Sequence, residues 1–145
     1  MEILAKNTKK NKKIAKIILN KLKKKNTNLL LLQGNLGAGK TTITRSIAKE
    51  LKTQDNVQSP TFIIQRIYKC KKNPYNFKKI YHIDLYRLTN YNQVIDIGIF
   101  ENLNNKQNLF IVEWPNIIEK KLNQSKYIKV KIDILNDNKR KFTLM

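Results

Sequence analysis

The chain has 145 residues, of which 41% are hydrophobic, and its formal net charge is +20 at pH 7. This composition excludes an intrinsically disordered chain, and no apolar run approaches the roughly 20 residues that span a membrane. The single cysteine excludes an internal disulfide, and the first residues lack the apolar core of a secretion signal. We therefore expect one domain over residues 1–145, located in the cytoplasm and not in a membrane.

The basic residues are nearly all lysines, because only four of the 30 are arginines. Two interpretations of this bias stay open. Lysine, asparagine and isoleucine have A/T-rich codons, so genome composition alone can raise their share. Alternatively, the charge forms a surface that attracts RNA, although specific base recognition favours arginine over lysine.

The first third of the chain is predicted to contain a helix, a strand, a glycine-rich loop and a second helix. Apolar residues recur with helical spacing over residues 8–25, with Asn7 or Thr8 as the N-cap. Residues 29–33 form an apolar run typical of a buried parallel strand, and residues 42–51 place their apolar side chains on one helical face. A helix N-terminus directly after such a loop points the positive end of the helix dipole at a bound anion.

The glycine-rich segment Gly34-Asn35-Leu36-Gly37-Ala38-Gly39-Lys40-Thr41 matches the pattern G-x-x-x-x-G-K-[ST] at every fixed position. Its glycines let backbone N–H groups approach phosphate oxygens, since no Cβ blocks the positive-φ conformations. Lys40 is expected to neutralise the β- and γ-phosphates, and the Thr41 hydroxyl is expected to ligate Mg²⁺. The segment therefore predicts that the chain binds a nucleoside triphosphate.

The rest of the chain alternates strands and short helices. Strands are predicted up to Tyr68 and at residues 79–84, 109–113, 127–134 and 141–144, and helices at residues 91–100, ending near Gly98, and 116–122, capped by Asn116. This mixed order indicates an α/β fold. We expect a P-loop NTPase-like three-layer sandwich, whose central sheet is mostly parallel with antiparallel strands at the edge.

Two acidic residues end predicted strands, where a nucleotide-hydrolysing site needs a carboxylate. Glu113 follows Leu-Phe-Ile-Val, and Asp84 follows Ile-Tyr-His-Ile. Such an acid holds Mg²⁺ or its waters and orients the attacking water, so both are candidates for the site. The alternative for each is a solvated carboxylate at the end of a strand.

The segment Ser59-Pro60-Thr61 follows the second predicted helix. In nucleotide switches, a loop at about this distance from the phosphate loop supplies a threonine that senses the γ-phosphate, which makes Thr61 a candidate. An ordinary proline turn explains the segment equally well. His82 is expected to pack in the interior, because no serine or cysteine nucleophile pattern accompanies it.

Four collinear segments carry a family resemblance: Gly34–Thr42, Ser59–Phe62, Tyr81–Leu88 and Ile111–Pro115. Together they resemble the TsaE (YjeE) family, the small ATPase of bacterial tRNA threonylcarbamoyladenosine synthesis. The glycine loop is shared with many NTPases, whereas His-x-Asp-Leu-Tyr-Arg-Leu and Val-Glu-Trp-Pro in this order are far more specific. Residues 92–98 depart from the family because they lack its glutamate-rich segment.

The resemblance implies an ATPase that uses ATP and Mg²⁺ and associates with the TsaB–TsaD complex. That complex transfers a threonylcarbamoyl group to the adenosine beside the anticodon, and ATP hydrolysis by the TsaE protein resets it between turnovers. The chain itself is not expected to perform the transfer. Direct contact with tRNA through the basic surface is a further expectation.

The same resemblance implies a set of site residues. The phosphates are expected to contact Gly37, Ala38, Gly39, Lys40, Thr41 and Thr42. Catalysis is assigned to Glu113, Asp84, Lys40 and Thr61, with Mg²⁺ on Thr41 and Glu113. The adenine side is assigned to Thr8 and Arg140.

Two other functions stay open. A P-loop small-molecule or nucleoside kinase needs an acceptor pocket and usually an arginine-bearing lid. The chain has only four arginines, and they form no cluster in the sequence that would supply such a lid. A basic RNA-binding module with a structural P-loop would not need Lys40, Thr41 and Glu113 to be intact.

Overall fold

The computed structural model describes residues 1–6 and 9–145, so the predicted N-cap at Asn7 or Thr8 lies outside the described residues. The strands are β1 Glu2–Ala5, β2 Leu29–Gln33, β3 Gln65–Lys69, β4 Lys79–Asp84, β5 Asn108–Glu113, β6 Ile128–Asn136 and β7 Lys139–Leu144. The α-helices are α1 Lys9–Lys25, α2 Lys40–Glu50, α3 Tyr91–Asp96 and α4 Asn116–Glu119. None of these helices is long and apolar enough to cross a membrane.

The strands form one sheet in the order β1-β7-β6-β2-β5-β4-β3. The central strands β6, β2, β5 and β4 pair in parallel. At one edge β3 pairs antiparallel, and at the other edge β7 and β1 do so. The predicted α/β fold with antiparallel edge strands is confirmed. The predicted mostly parallel sheet holds for the four central strands, whereas the whole sheet has as many antiparallel pairings as parallel ones.

The centre of the sheet is buried on both faces. In β2, Leu30 and Leu32 pack in the apolar cluster that includes α1 and α2, whereas Leu29 and Leu31 pack in the cluster that includes Val94 of α3. Successive strand residues point to opposite faces, so the unbroken apolar run of β2 fills both clusters. Helices on each side of the sheet give the three layers expected from the sequence.

The C-terminal ends of β2, β5 and β4 meet at one end of the sheet. The register pairs Leu32 with Glu113 and Glu113 with Asp84, so the two predicted acids end neighbouring strands. Helix α2 begins directly after the glycine loop that follows β2. In open α/β sheets, ligands bind at the carboxyl ends of the strands, and the candidate side chains converge there.

β1 is a strand that the sequence does not predict. Its four residues have no clear apolar alternation, and only the pairing with β7, far away in the chain, makes them a strand. Short edge strands of this kind depend on tertiary contacts more than on local pattern.

Two helix boundaries differ from the prediction. Asn116 does not cap α4, because Pro115 takes the N-cap position and its carbonyl oxygen accepts from the amide of Ile118. Helix α3 ends at Asp96, before the predicted residue 100. Its end near Gly98 is confirmed, since this glycine has a φ of +68°, typical of the residue after a helix C-cap.

Candidate nucleotide-binding site

The loop between β2 and α2 adopts conformations that favour glycine. Gly37 and Gly39 have φ values of +75° and +104°, in the left-handed region. A Cβ on Gly34 would lie 2.7 Å from the Ile132 carbonyl oxygen, so that position needs glycine because β6 approaches closely. Gly39 is the N-cap of α2 and provides no side-chain cap. The first N–H groups of α2 therefore remain for an anion bound in the loop.

Lys40 folds back over this loop. Its Nζ donates to two carbonyl oxygens of the loop, at 2.8 and 3.1 Å, and lies 4.2 Å from the centroid of the Trp114 ring. Burial lowers the pKa of Lys40, while the carboxylates of Glu113 and Asp84 act in the opposite direction. A partly desolvated ammonium thus lies where the sequence pattern predicts the β- and γ-phosphates.

Glu113 is only 3% exposed and has two polar partners. Thr41 Oγ1 donates to Glu113 Oε1 at 3.0 Å, and His82 Nε2 lies 2.7 Å from the same oxygen. Since a carboxylate only accepts hydrogen bonds, Nε2 is the donor in this pair. The structure therefore brings together Thr41 and Glu113, the two residues predicted to hold Mg²⁺.

Asp84 lies beside Glu113 and contacts the predicted switch residue. Thr61 Oγ1 donates to Asp84 Oδ2 at 2.7 Å, and the Tyr86 amide donates to Asp84 Oδ1 at 2.8 Å. Ser59 Oγ lies 2.8 Å from Thr61 Oγ1. Residues 59–61 are therefore linked to the strand-end acids by a side-chain hydrogen bond, which a simple proline turn does not require.

His82 has a contact that sequence reasoning missed. It is fully buried, as expected of a packing residue, yet its Nε2 is bonded to Glu113. Its Nδ1 has no hydrogen-bond partner among the described residues. The two-residue periodicity of a strand could have predicted this contact, because His82 and Asp84 are two residues apart on β4 and their side chains lie on the same face of the sheet.

Trp114 is the second residue that the sequence leaves out of the site. Its φ is +56°, which is unusual and strained for a bulky residue. Its ring covers Lys40 and lies 4.9 Å, centroid to centroid, from the Tyr86 ring. The sequence marks Trp114-Pro115 only as the end of a strand, and no local pattern predicts this backbone conformation.

Two surface depressions adjoin at the glycine loop. One, of about 240 Å³, is lined by the charged residues Lys40, Asp84 and Glu113 together with the hydroxyl-bearing Thr41 and Thr61, and we call it the charged depression. The other, of about 360 Å³, lies towards β1 and β7 and is lined among others by Lys6, Asn11, Ala38, Arg140 and Phe142. Gly37, Gly39 and Thr42 line both. The pair suits a ligand with one highly charged end.

Arg140, which the resemblance assigns to the adenine side, lies beside the glycine loop. Its Nη2 is 3.5 Å from the Gly37 carbonyl oxygen, and its Nη1 donates to the Asn136 carbonyl oxygen at 2.7 Å. Arg140 therefore joins the β6–β7 hairpin to the glycine loop. Thr8, the other residue assigned to adenine, lies outside the described residues.

The side chains at the charged depression fit a hydrated Mg²⁺ that also contacts phosphate. Across residues 1–6 and 9–145, no group of three or more His, Cys, Asp or Glu side chains is arranged to hold a metal ion. Mg²⁺ usually takes one or two carboxylates, with waters and substrate phosphates as its other ligands. The Thr41 hydroxyl beside the Glu113 carboxylate is a partial site of this kind.

The parallel centre of the sheet, the glycine loop before α2 and the paired strand-end acids define a P-loop α/β protein. A family model described as "Threonylcarbamoyl adenosine biosynthesis protein TsaE" matches residues 5–142. The TsaE protein of Rickettsia felis is 39% identical over 95% of this chain and 75% of its own length. The TsaE protein of Bacillus subtilis is 35% identical over 80% of this chain and 68% of its own. The chain belongs to the TsaE family, which confirms the resemblance carried by its motifs.

A solved structure agrees with this assignment. The crystal structure of YdiB from Bacillus subtilis has a TM-score of 0.65 and 26% sequence identity to this chain. The match covers 99% of this chain and 83% of YdiB. The likeness therefore extends over the whole sheet and is not confined to the glycine loop.

Proposed function

We propose that this chain is a cytoplasmic, Mg²⁺-dependent ATPase that serves the synthesis of threonylcarbamoyladenosine in tRNA. It acts on the TsaB–TsaD complex, which its ATP hydrolysis resets between turnovers, and it does not itself transfer the threonylcarbamoyl group. The observation that carries the proposal is the 3.0 Å contact between Thr41 Oγ1 and Glu113 Oε1 at the start of α2. Membership of the TsaE family supports the pathway.

The glycine loop and Lys40 bind the phosphate groups in this proposal. The first N–H groups of α2 have no side-chain cap, and the dipole of an 11-residue helix favours an anion at that end. Lys40 already lies over the loop, so exchanging its two carbonyl partners for phosphate oxygens requires little ordering of the side chain. When bound, Mg²⁺ neutralises charge that develops on the phosphates.

The two buried carboxylates, Glu113 and Asp84, act on the metal ion and the attacking water in this proposal. Glu113 and Asp84 are each 3% exposed, so their charges act in a poorly solvated environment where electrostatic effects are strong. Together they would hold the waters of a bound Mg²⁺ and orient the attacking water. Thr61 senses the phosphate end of the ligand through its hydrogen bond to Asp84.

The kinase alternative has less support because three of the four arginine side chains already donate hydrogen bonds to backbone carbonyl oxygens. Arg45 Nε donates to the Val57 carbonyl oxygen at 3.0 Å, and Arg87 Nη1 donates to the Phe62 carbonyl oxygen at 3.2 Å. Arg140 is bonded within its own hairpin. An arginine-bearing lid over a phosphate acceptor would have to give up these bonds.

The test of the nucleotide site is Lys40→Ala with Lys49→Ala as its control. Both remove one lysine from α2, but Lys49 is exposed in the last turn and away from the loop. Lys40→Ala should weaken ATP binding about 100-fold by isothermal titration calorimetry, while Lys49→Ala leaves it unchanged. Unchanged ATP binding in Lys40→Ala contradicts the proposal.

The test of the partner is a pull-down of the chain with TsaB and TsaD, with and without ATP, beside an ATPase assay of the mixture. We expect association that depends on nucleotide. Its absence would contradict the assignment to the TsaB–TsaD complex while leaving the ATP site unaffected.

A further inference from the structure

A second concave surface lies at the other end of the sheet, around the connection between β3 and β4. This depression has a volume of about 470 Å³. It is lined by five lysines, Lys69, Lys71, Lys72, Lys78 and Lys79, and its other lining residues are uncharged, among them four asparagines and glutamines. We call this surface the lysine depression. No carboxylate lines it, although lysines elsewhere on the chain form ion pairs.

The connection that carries these lysines is held in one shape by Asn73. This side chain is buried, and its Nδ2 donates to the carbonyl oxygens of Lys71 and Phe77 at 2.9 and 2.7 Å. Its Oδ1 accepts from the Tyr75 amide at 3.1 Å. Two backbone bonds, from Cys70 N to Lys78 O and from Lys71 N to Lys52 O, close the segment further. The lysines therefore project from an ordered scaffold, which lowers the entropy cost of binding a ligand.

The lysine depression is remote from the nucleotide site. Lys79 begins β4 and Asp84 ends it, and five residue steps of a strand span roughly 17 Å. The last turn of α1 adjoins this surface through Lys23, which is exposed and whose Nζ donates to the Pro74 carbonyl oxygen at 3.4 Å. Binding at this surface therefore need not compete with nucleotide.

We propose that the lysine depression binds the phosphate backbone of a double-helical RNA stem. A duplex presents closely spaced phosphates, which several ammonium groups on one ordered scaffold can contact together, and lysine contacts phosphate without reading bases. The aromatic ring of Phe77 is buried, and no strongly exposed large apolar residue of the described chain lies in the segment. Single-stranded RNA binding usually uses exposed rings for stacking, and membrane binding uses exposed apolar side chains, so a duplex is favoured over both. The inference rests on the proposed role in tRNA modification.

The experiment compares two triple variants with the same loss of charge. Lys71→Gln, Lys72→Gln and Lys78→Gln remove charge from the depression, and Lys12→Gln, Lys13→Gln and Lys120→Gln remove it from exposed positions elsewhere. Fluorescence anisotropy measures binding of a tRNA transcript between about 50 and 200 mM salt. The depression variant should bind roughly tenfold or more weakly, with a log–log salt slope lower by about 2 to 3. The control variant should bind like the unchanged chain.

Several outcomes overturn the proposal. Equal weakening in both triple variants would show that only the overall charge matters, as expected if the lysine content is compositional. Tighter binding of a single-stranded oligonucleotide than of an RNA duplex of equal length would exclude the stem. Lysine-dependent binding to phosphatidylserine vesicles without RNA binding would identify a membrane surface. Lys40→Ala should keep full RNA affinity, so failure of the ATP site and failure of this surface are distinguishable.

Discussion

The two ends of the sheet carry positive charge in different ways. At the end that carries the glycine loop, the proposed nucleotide end, the single ammonium of Lys40 is buried among loop carbonyls, a tryptophan ring and two carboxylates. At the lysine depression, five exposed ammonium groups face solvent. Buried charges interact strongly with each neighbour, whereas exposed charges are screened and act collectively. Single substitutions should therefore have large effects at the first end, and only combined substitutions should do so at the second.

The largest effect is expected from Glu113→Gln. The amide keeps the shape of the side chain but removes the charge beside Thr41, so kcat for ATP hydrolysis should fall about 100- to 1,000-fold while ATP affinity changes little. Phosphate release and calorimetric titration measure the two quantities. Glu119→Gln is the matched control, because Glu119 is a partly exposed acid that pairs with Lys129. A similar loss of activity in both variants would contradict the role given to Glu113.

The reactivity of Cys70 tests whether the exposed lysines beside it lower the pKa of its thiol. Lys69 and Lys71 flank it, yet burial raises the pKa of the thiol from 9.0 to about 11. The thiolate is the reactive form, and below both pKa values its fraction falls tenfold for each unit that the pKa rises. Alkylation by iodoacetamide at pH 8 should therefore be about 100-fold slower in the folded chain than in the chain unfolded in urea, and should accelerate towards pH 11. Equal rates at pH 8 would show that the lysines offset burial.

The nucleotide end was largely predictable from sequence, because local patterns encode it. The segment Gly34–Thr41 is contiguous, and Asp84 and Glu113 each end a strand that its own residues predict. Parallel pairing then brings the acids together without further information. The distance of Thr61 from the glycine loop made it a candidate, but only the family resemblance favoured a switch residue over an ordinary proline turn.

The remaining features depend on contacts between distant parts of the chain. The pairing of β1 with β7 is one example, and the conformation of Trp114 is another. The lysine depression is a third, because a list of lysines in a lysine-rich chain does not show which of them surround the buried side chain of Asn73. Sequence composition indicated a basic surface but not its location.

His82→Leu should have a smaller effect than Glu113→Gln. It removes the Nε2 donor that holds Glu113 Oε1 at 2.7 Å, so kcat should fall roughly tenfold, with the affinity for ATP unchanged. His82→Gln places an amide donor at a similar reach and should restore most of the activity. Steady-state kinetics and thermal unfolding of both variants measure the effect. Equal losses of kcat in the two variants would indicate that His82 contributes through packing alone.

The smallest effect is expected from substitutions that test the backbone conformation at Trp114, the residue whose ring lies over Lys40. Since φ is +56° there, glycine should suit the position better than alanine, and Trp114→Gly should be about 1 kcal/mol more stable to urea than Trp114→Ala. At Lys120, where φ is −64°, the order should reverse, with alanine at least as stable as glycine. Both Trp114 variants lose the same ring, so their difference reports the backbone alone. If alanine proved the more stable at both positions, the left-handed conformation of Trp114 would not be a source of strain.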